Sequence, residues 1–233
     1  MRNNKHKYQI MKFSPVNKRA ILAVSTILSI LVIDQIIKIS VKTNMFLHES
    51  IDVTDWFKIC FVENRGMAFG MDFIGTTFLS VFRIVAILFF CFLLVKLVRK
   101  KYPMGLIFCF SLVVAGAVGN IIDNCLYGLI FEQSVPPYFG GEPASFVPFG
   151  EGYGNFLSGK VVDMFYFPLF EWPDSFPIVG GDVFFSAIFN FADAAISCGA
   201  VALLLFYYSY IAHFDKKSDK SEQKIEDTDV PRD

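Results

Sequence analysis

The sequence predicts an α-helical membrane protein with four transmembrane helices, short strands and an extended outer loop region. Composition is the first reason: of 233 residues 54% are hydrophobic and 18% charged, and the mean hydropathy is +0.49, against about 45–50% apolar and about 25% charged in a soluble domain. Second, four apolar runs are each long enough to cross a bilayer. Third, Lys and Arg alternate between segments, crowding the N-terminal stretch, the connection after the second run and the C-terminal tail. By the positive-inside rule this places both termini in the cytoplasm and both long loops outside. The net charge of −1 gives no reason to expect nucleic acid as a partner.

The segment 1–19 is polar and basic, with Arg2, Lys5, Lys7, Lys12, Lys18 and Arg19. An apolar run begins at Ala20 and is interrupted by Asp34 and Lys38. Ser40-Val41-Lys42-Thr43 offers no small-x-small cleavage site, so the run reads as a retained first helix over 20–40, not a signal peptide. The outer segment 41–75 contains Ile51–Val62, whose partial alternation and β-branched and aromatic content predict short strands. It then passes into the turn-forming Glu63-Asn64-Arg65-Gly66-Met67-Ala68-Phe69-Gly70.

A second helix is predicted over 76–98, with Arg83 near one end and Lys96, Arg99, Lys100 and Lys101 closing it. The third, 104–123, holds Gly105, Gly116 and Gly119, small residues that permit close helix approach. The outer segment 124–183 is broken by Gly and Pro and rich in aromatics, which suits loops at the membrane surface. The fourth helix is predicted over 184–210, which places Asp193 about two turns inside it. The membrane domain thus spans 20–213, and a hydrophilic tail follows over 214–233. No C-x-x-C pair occurs among the five cysteines, four of which lie in or beside apolar runs. They read as small buried hydrophobes, and neither a metal nor a cofactor is implied.

Chemistry is sought where polar groups interrupt apolar segments. A carboxylate at membrane depth costs several kcal/mol, so Asp193 is expected to face a polar cavity and to mark function. Asp34 and Lys38 are four apart, spaced for an ion pair on one helix face, and read as structural before catalytic. Asn120 and Asp123 share a face at the predicted end of the third helix, either capping it or lining a shared pocket. Asp163 lies in the apolar strip Val161–Phe167 and alone would be an ordinary loop residue. Were it to meet Asp193, two carboxylates in a partly desolvated site would share one proton, one serving as general base for water and the other as general acid. The spacing does not require that meeting.

Other nucleophile and metal chemistries find no motif, since G-x-S-x-G and H-E-x-x-H are both absent. A different class of function, a small transporter with Asp34, Asp123 and Asp193 on a proton path, accounts for the membrane acids but not for Asp163 or the aromatic outer segments.

Five segments in order resemble one family. They are Asp34-Gln35-Ile36-Ile37-Lys38, Glu63–Gly70, Gly116-Ala117-Val118-Gly119-Asn120-Ile121-Ile122-Asp123, Val161-Val162-Asp163-Met164 and Phe189-Asn190-Phe191-Ala192-Asp193. Together they are similar to the elements of the lipoprotein signal peptidases (signal peptidase II), aspartic peptidases of the bacterial inner membrane. The resemblance implies that Asp163 and Asp193 are the catalytic pair and that Asn120, Asp123 and Asn190 line the polar site, supported by Asp34 and Lys38. It implies that Asn64 and Gly66 belong to a small extracytoplasmic β-cradle for the substrate. The implied substrate is a prolipoprotein, cut just before a diacylglyceryl-modified cysteine, with membrane lipids as the other partner and a monomer as the working unit. Two departures stand out. Asn124 occupies the position after Asp123 where the family commonly has Arg, with Arg65 as a candidate replacement, and the stretch between Tyr127 and Val161 is longer than in compact members.

Overall fold

The computed structural model of the chain describes residues 14–64 and 76–212. Arg65 and Gly66 therefore lie outside the described residues. Four long apolar helices are joined by a small β-sheet region: α1 (Pro15–Asn44), β1 (Ser50–Thr54), β2 (Phe57–Asn64), α2 (Thr76–Arg99), α3 (Met104–Ile130), β3 (Val161–Tyr166), β4 (Phe170–Glu171), β5 (Val183–Phe184), β6 (Ile188–Phe189) and α4 (Phe191–Ala212). Each helix contains a stretch long and apolar enough to cross a membrane.

The sorting of side chains inverts that of a soluble bundle. Along α1 the buried positions are Ala23, Thr26, Asp34, Lys38, Val41 and Lys42, a stripe at helical spacing that turns polar towards its C-terminal end. Ile21, Val24, Leu28, Val32 and Ile36 are exposed on the other face. α2 and α4 likewise expose Phe82, Leu88 and Phe92, and Leu204, Leu205 and Phe206. Apolar faces of this kind suit hydrocarbon, while the polar groups turn inwards.

α3 is the central helix, packing against all three others. Its approach to α4 and α1 depends on Gly119: a Cβ there would stand 2.8 Å from the Asp34 carboxylate and 3.2 Å from Ala192 Cβ. One apolar core joins the helices around Ala23, Leu97, Ile107, Val114 and Leu203. A second joins helix ends to strands, around Val41, Phe61, Tyr127, Phe131, Val162 and Met164.

The strands form an antiparallel sheet in the order β1-β2-β3-β6, and a separate β4–β5 ladder pairs Phe170 with Phe184. In the main sheet Val62 lies opposite Asp163 and Asn64 opposite Val161. Because successive side chains alternate across a strand, Val162 and Met164 enter the second core while Asp163 points to the other face.

Several boundaries differ from expectation for identifiable reasons. α1 begins at Pro15, where Ser14 caps it by accepting from the Asn17 amide (3.2 Å) and proline occupies the first turn. α3 continues to Ile130, beyond the predicted 123, so Asn120 and Asp123 are interior residues and cap nothing. α4 starts at Phe191, not 184, because the Phe-rich stretch before it pairs as β5 and β6. Asp193 is consequently in the first turn of α4 rather than two turns inside it. Asp163 sits in a strand, not a loop. All five cysteines are free; Cys109 is buried, Cys60, Cys91 and Cys125 are half-buried and Cys198 is exposed, so the reading as small buried hydrophobes holds in full only for Cys109.

Candidate active site

The site forms where the polar ends of α1 and α3 meet β3 and the start of α4. Asn190 precedes α4 as its N-cap: its Oδ1 accepts from the Asp193 amide (2.9 Å), and the Asp193 carboxylate turns back to the Asn190 amide (3.4 Å). This reciprocal arrangement is a capping box with Asp in place of the usual Glu, and it fixes both side chains. Asp34 Oδ1 accepts from the Ala192 amide (2.9 Å), satisfying another open N–H of the same helix end.

Lys38 is completely buried and uses three donors on three acceptors. Its Nζ meets Asp34 Oδ2 at 3.0 Å, Asp123 Oδ2 at 2.8 Å and Asn120 Oδ1 at 2.8 Å. The predicted Asp34–Lys38 pair is thus one side of a larger buried cluster. Asn120 passes this order on. Its Oδ1 also accepts from Asn190 Nδ2 (3.1 Å), and its Nδ2 donates to Asp193 Oδ1 (2.7 Å). Asn190 Nδ2 in turn donates to Asp163 Oδ1 (2.7 Å).

Two adjacent amides therefore hold the two carboxylates: Asn190 grips Asp163, Asn120 grips Asp193, and each amide touches the other. Asn64, at the end of β2, adds a side-chain hydrogen bond to Asp163. Among the described residues no buried side-chain nitrogen or oxygen lacks a partner. Polar networks in low dielectric specify one geometry when satisfied in this way. Of the residues singled out in the sequence, Asp34, Lys38, Asn64, Asn120, Asp123, Asp163, Asn190 and Asp193 converge in this network. No grouping of His, Cys, Asp and Glu among the described residues could hold a metal ion.

Comparison with known proteins bears on what such a site belongs to. Residues 26–209 match the family described as signal peptidase (SPase) II. The chain is 47% identical over 209 residues to the lipoprotein signal peptidase of Porphyromonas gingivalis, covering 87% of this chain and 90% of that one. The chain belongs to the signal peptidase II family. It is also 32% identical over 212 residues to the lipoprotein signal peptidase of Amoebophilus asiaticus, covering 85% of this chain and 80% of that one. In fold it is similar to a bacterial membrane enzyme solved by the in meso method at 1.9 Å, with a TM-score of 0.51 at 22% identity over 81% of this chain and 91% of that one.

As a member of this peptidase family the chain has an electrostatic feature of interest at β3. Burial pushes the Asp163 carboxyl up to about 7, and the neighbouring charge of Asp193 adds to the rise. Donors from Asn190 and Asn64 and the charge of Lys38 oppose it.

Other contributors were not singled out in the sequence or, like Asn124, stood out there only as a departure from the family pattern. Gln35 donates to Asp123 Oδ1 (2.9 Å) and accepts from the Tyr127 hydroxyl (3.1 Å), closing the outer side of the Lys38 cluster. A polar residue beside Asp34 in an apolar helix was the available signal. Asn124 accepts from Arg83 Nη1 (3.1 Å) and donates to the Gly159 carbonyl (2.7 Å). A separate cluster braces the sheet, with buried Lys42 paired to Glu63 and bonded to Ser134 (2.8 Å), and Lys160 held on Glu63 (2.7 Å).

Proposed function

We propose that this peptidase removes the signal peptides of diacylglyceryl-modified prolipoproteins, cutting before the lipid-modified cysteine through general acid–base activation of water between Asp163 and Asp193. The observation that carries this reading is the placement of two carboxylates, 30 residues apart on separate elements, on one interlocked pair of amides. Its electrostatics support a shared proton, because Asp163 is raised to about 7 by burial and by Asp193.

With one proton on the pair, the ionised carboxylate takes a proton from water as its oxygen attacks the scissile carbonyl carbon. The protonated carboxyl gives its proton to the carbonyl oxygen. As the resulting diol collapses, one of its hydroxyls gives its proton to the ionised carboxylate. The C–N bond breaks and the departing amine takes a proton from the pair, so that one proton again remains shared. Asn120 and Asn190 position the carboxylates, Lys38 with Asp34 and Asp123 anchors those amides, and Asn64 holds Asp163 from the β2 side. The sheet β1-β2-β3-β6 serves as an extracytoplasmic cradle for the substrate backbone. The enzyme acts as a monomer in the bacterial inner membrane with both termini cytoplasmic, so that the acyl chains of the substrate stay in lipid while the scissile bond reaches the outer face.

The test is mass spectrometry of the products from a prolipoprotein with and without its diacylglyceryl group. Release of a mature protein beginning at the lipid-modified cysteine, from the lipidated substrate alone, is expected. Cleavage elsewhere, or equal cleavage of the unmodified precursor, would overturn the reading.

A further inference from the structure

We propose that Arg83 on α2, seated on Asn124, is a positioning residue for the Asp163–Asp193 pair whose positive charge keeps one of the two carboxylates ionised while the other holds the proton. This rests on the pairing proposed above and adds a component from a helix that none of the motifs touches.

α2 otherwise presents apolar side chains outwards: Phe82, Val85, Leu88 and Phe89 are all exposed. A guanidinium on such a helix is costly in hydrocarbon and is expected to turn into a polar interior. Arg83 does so, half-buried, with Nη1 donating to Asn124 Oδ1 at 3.1 Å. Asn124 is fully buried, and its Nδ2 is committed to the Gly159 carbonyl at 2.7 Å, which leaves its oxygen for Arg83. Three residues before Arg83 and on the same face, Ser80 Oγ donates to the Leu157 carbonyl at 3.4 Å. α2 is thereby clasped to the stretch that leads directly into β3 and Asp163. The charge of Arg83 acts on both Asp193 and Asp163.

The other charged groups around the pair sit in two ion clusters whose formal charges, −1 for Asp34, Lys38 and Asp123 and +1 for Glu63, Lys42 and Lys160, cancel. Lys38 of α1, which also bears on Asp163, is held between Asp34 of α1 and Asp123 of α3. Glu63 of β2 holds both Lys42 of α1 and Lys160. The cluster of Asp34, Lys38 and Asp123 carries two formal negative charges against one positive, so Lys38 supplies no surplus charge to the pair. Arg83 comes from a different helix, α2, with the uncharged Asn124 as one of its partners, and a guanidinium stays charged over the whole working range.

The test uses the full-length chain in phospholipid nanodiscs with a fluorogenic diacylglyceryl lipopeptide. Kinetics as a function of pH are recorded for the wild type, Arg83→Gln and Arg83→Lys. Loss of the cation makes ionisation of the pair harder, so in Arg83→Gln the acid limb of the kcat profile should move up by about one pH unit, a factor of ten in proton affinity. At a fixed pH on that limb kcat should fall about tenfold with KM little changed. Arg83→Lys keeps the charge and loses the fork, so its limb should stay at the wild-type position even if its rate is lower.

An Arg83→Gln profile that superposes on the wild type overturns the proposal, as does a slower enzyme with an unmoved limb. A limb shifted equally in Arg83→Lys overturns it too, and this variant decides the matter if Arg83→Gln fails to fold. Asp163→Asn and Asp193→Asn are run alongside. Turnover by either would defeat the pairing itself, whereas two dead aspartate variants with an unmoved Arg83→Gln limb defeat only the role given to Arg83.

Discussion

Asp163→Asn should stabilise the protein at neutral and alkaline pH while abolishing its chemistry. Asp163 is 4% exposed, and its carboxyl is raised from 3.8 to about 7 by burial first and by Asp193 second. An acid whose folded value lies above its unfolded value binds more protons when folded. It therefore lowers stability progressively as pH rises through that window, from 3.8 to about 7. A shift of about 3 units at roughly 1.4 kcal/mol each gives an upper bound of about 4 kcal/mol at pH 8.

Asparagine keeps an oxygen for the Asn190 donor and cannot ionise, so that cost disappears. Glu63 does not confuse the reading. Burial alone would raise it, but Lys42 and Lys160 bring it below its ordinary 4.5, and its contribution is lost only as pH falls below that value. Thermal unfolding in detergent, followed at pH 5 and pH 8, is the assay. The variant should unfold several degrees above the wild type at pH 8, at roughly 2–4 °C per kcal/mol for a chain of this size. The gap should shrink at pH 5. A variant less stable than the wild type at pH 8, or a gap that ignores pH, would refute the claim that Asp163 is a desolvated acid facing a like charge.

The supporting network makes further predictions. Asn120→Ala removes the links to Lys38, Asn190 and Asp193 at once, and turnover of a lipopeptide should fall by roughly 10²-fold from misplaced carboxylates while circular dichroism stays helical. Lys38→Met leaves Asp34 and Asp123 buried against each other and should cost about 3–5 kcal/mol, visible as loss of folded protein on size-exclusion chromatography. Adding Asp34→Asn and Asp123→Asn to that variant should recover folding. Gly119→Ala forces a methyl group against Asp34 and Ala192 and should cost about 1–3 kcal/mol in thermal unfolding, with a parallel loss of activity.

Much of this architecture is legible in the sequence because bilayer-spanning helices announce themselves by length and apolarity. Their ends are less so. Phe184–Phe189 continues the hydropathy of α4 without a break, and only strand pairing excludes it from the helix. Asn190 is the true start signal, since its side chain caps the first turn. At the other extreme, Asn124, Tyr127 and Gly128 read as the opening of a loop, yet α3 continues through them. Gly128 lets the outer segment pack close, with a Cβ there only 3.2 Å from the Asn155 carbonyl.

The site residues that stood out were polar groups stranded in apolar runs, which is why Asp34, Lys38, Asn120 and Asp193 were found. Those missed depend on partners distant in the chain. Gln35 meets Tyr127 across 92 positions and Arg83 meets Asn124 across 41. The substitution at Asn124 was visible, but nothing in the sequence shows that a cation from α2 rests on it. Arg65, the candidate replacement, lies outside the described residues.

The proposed chemistry is tested most directly by single-turnover cleavage of a diacylglyceryl prolipoprotein with purified wild type, Asp163→Asn and Asp193→Asn, each first shown to be folded. Both variants should release no detectable signal peptide while the wild type goes to completion. Cleavage by either folded variant at a rate near that of the wild type would mean that the two carboxylates do not share the hydrolytic step.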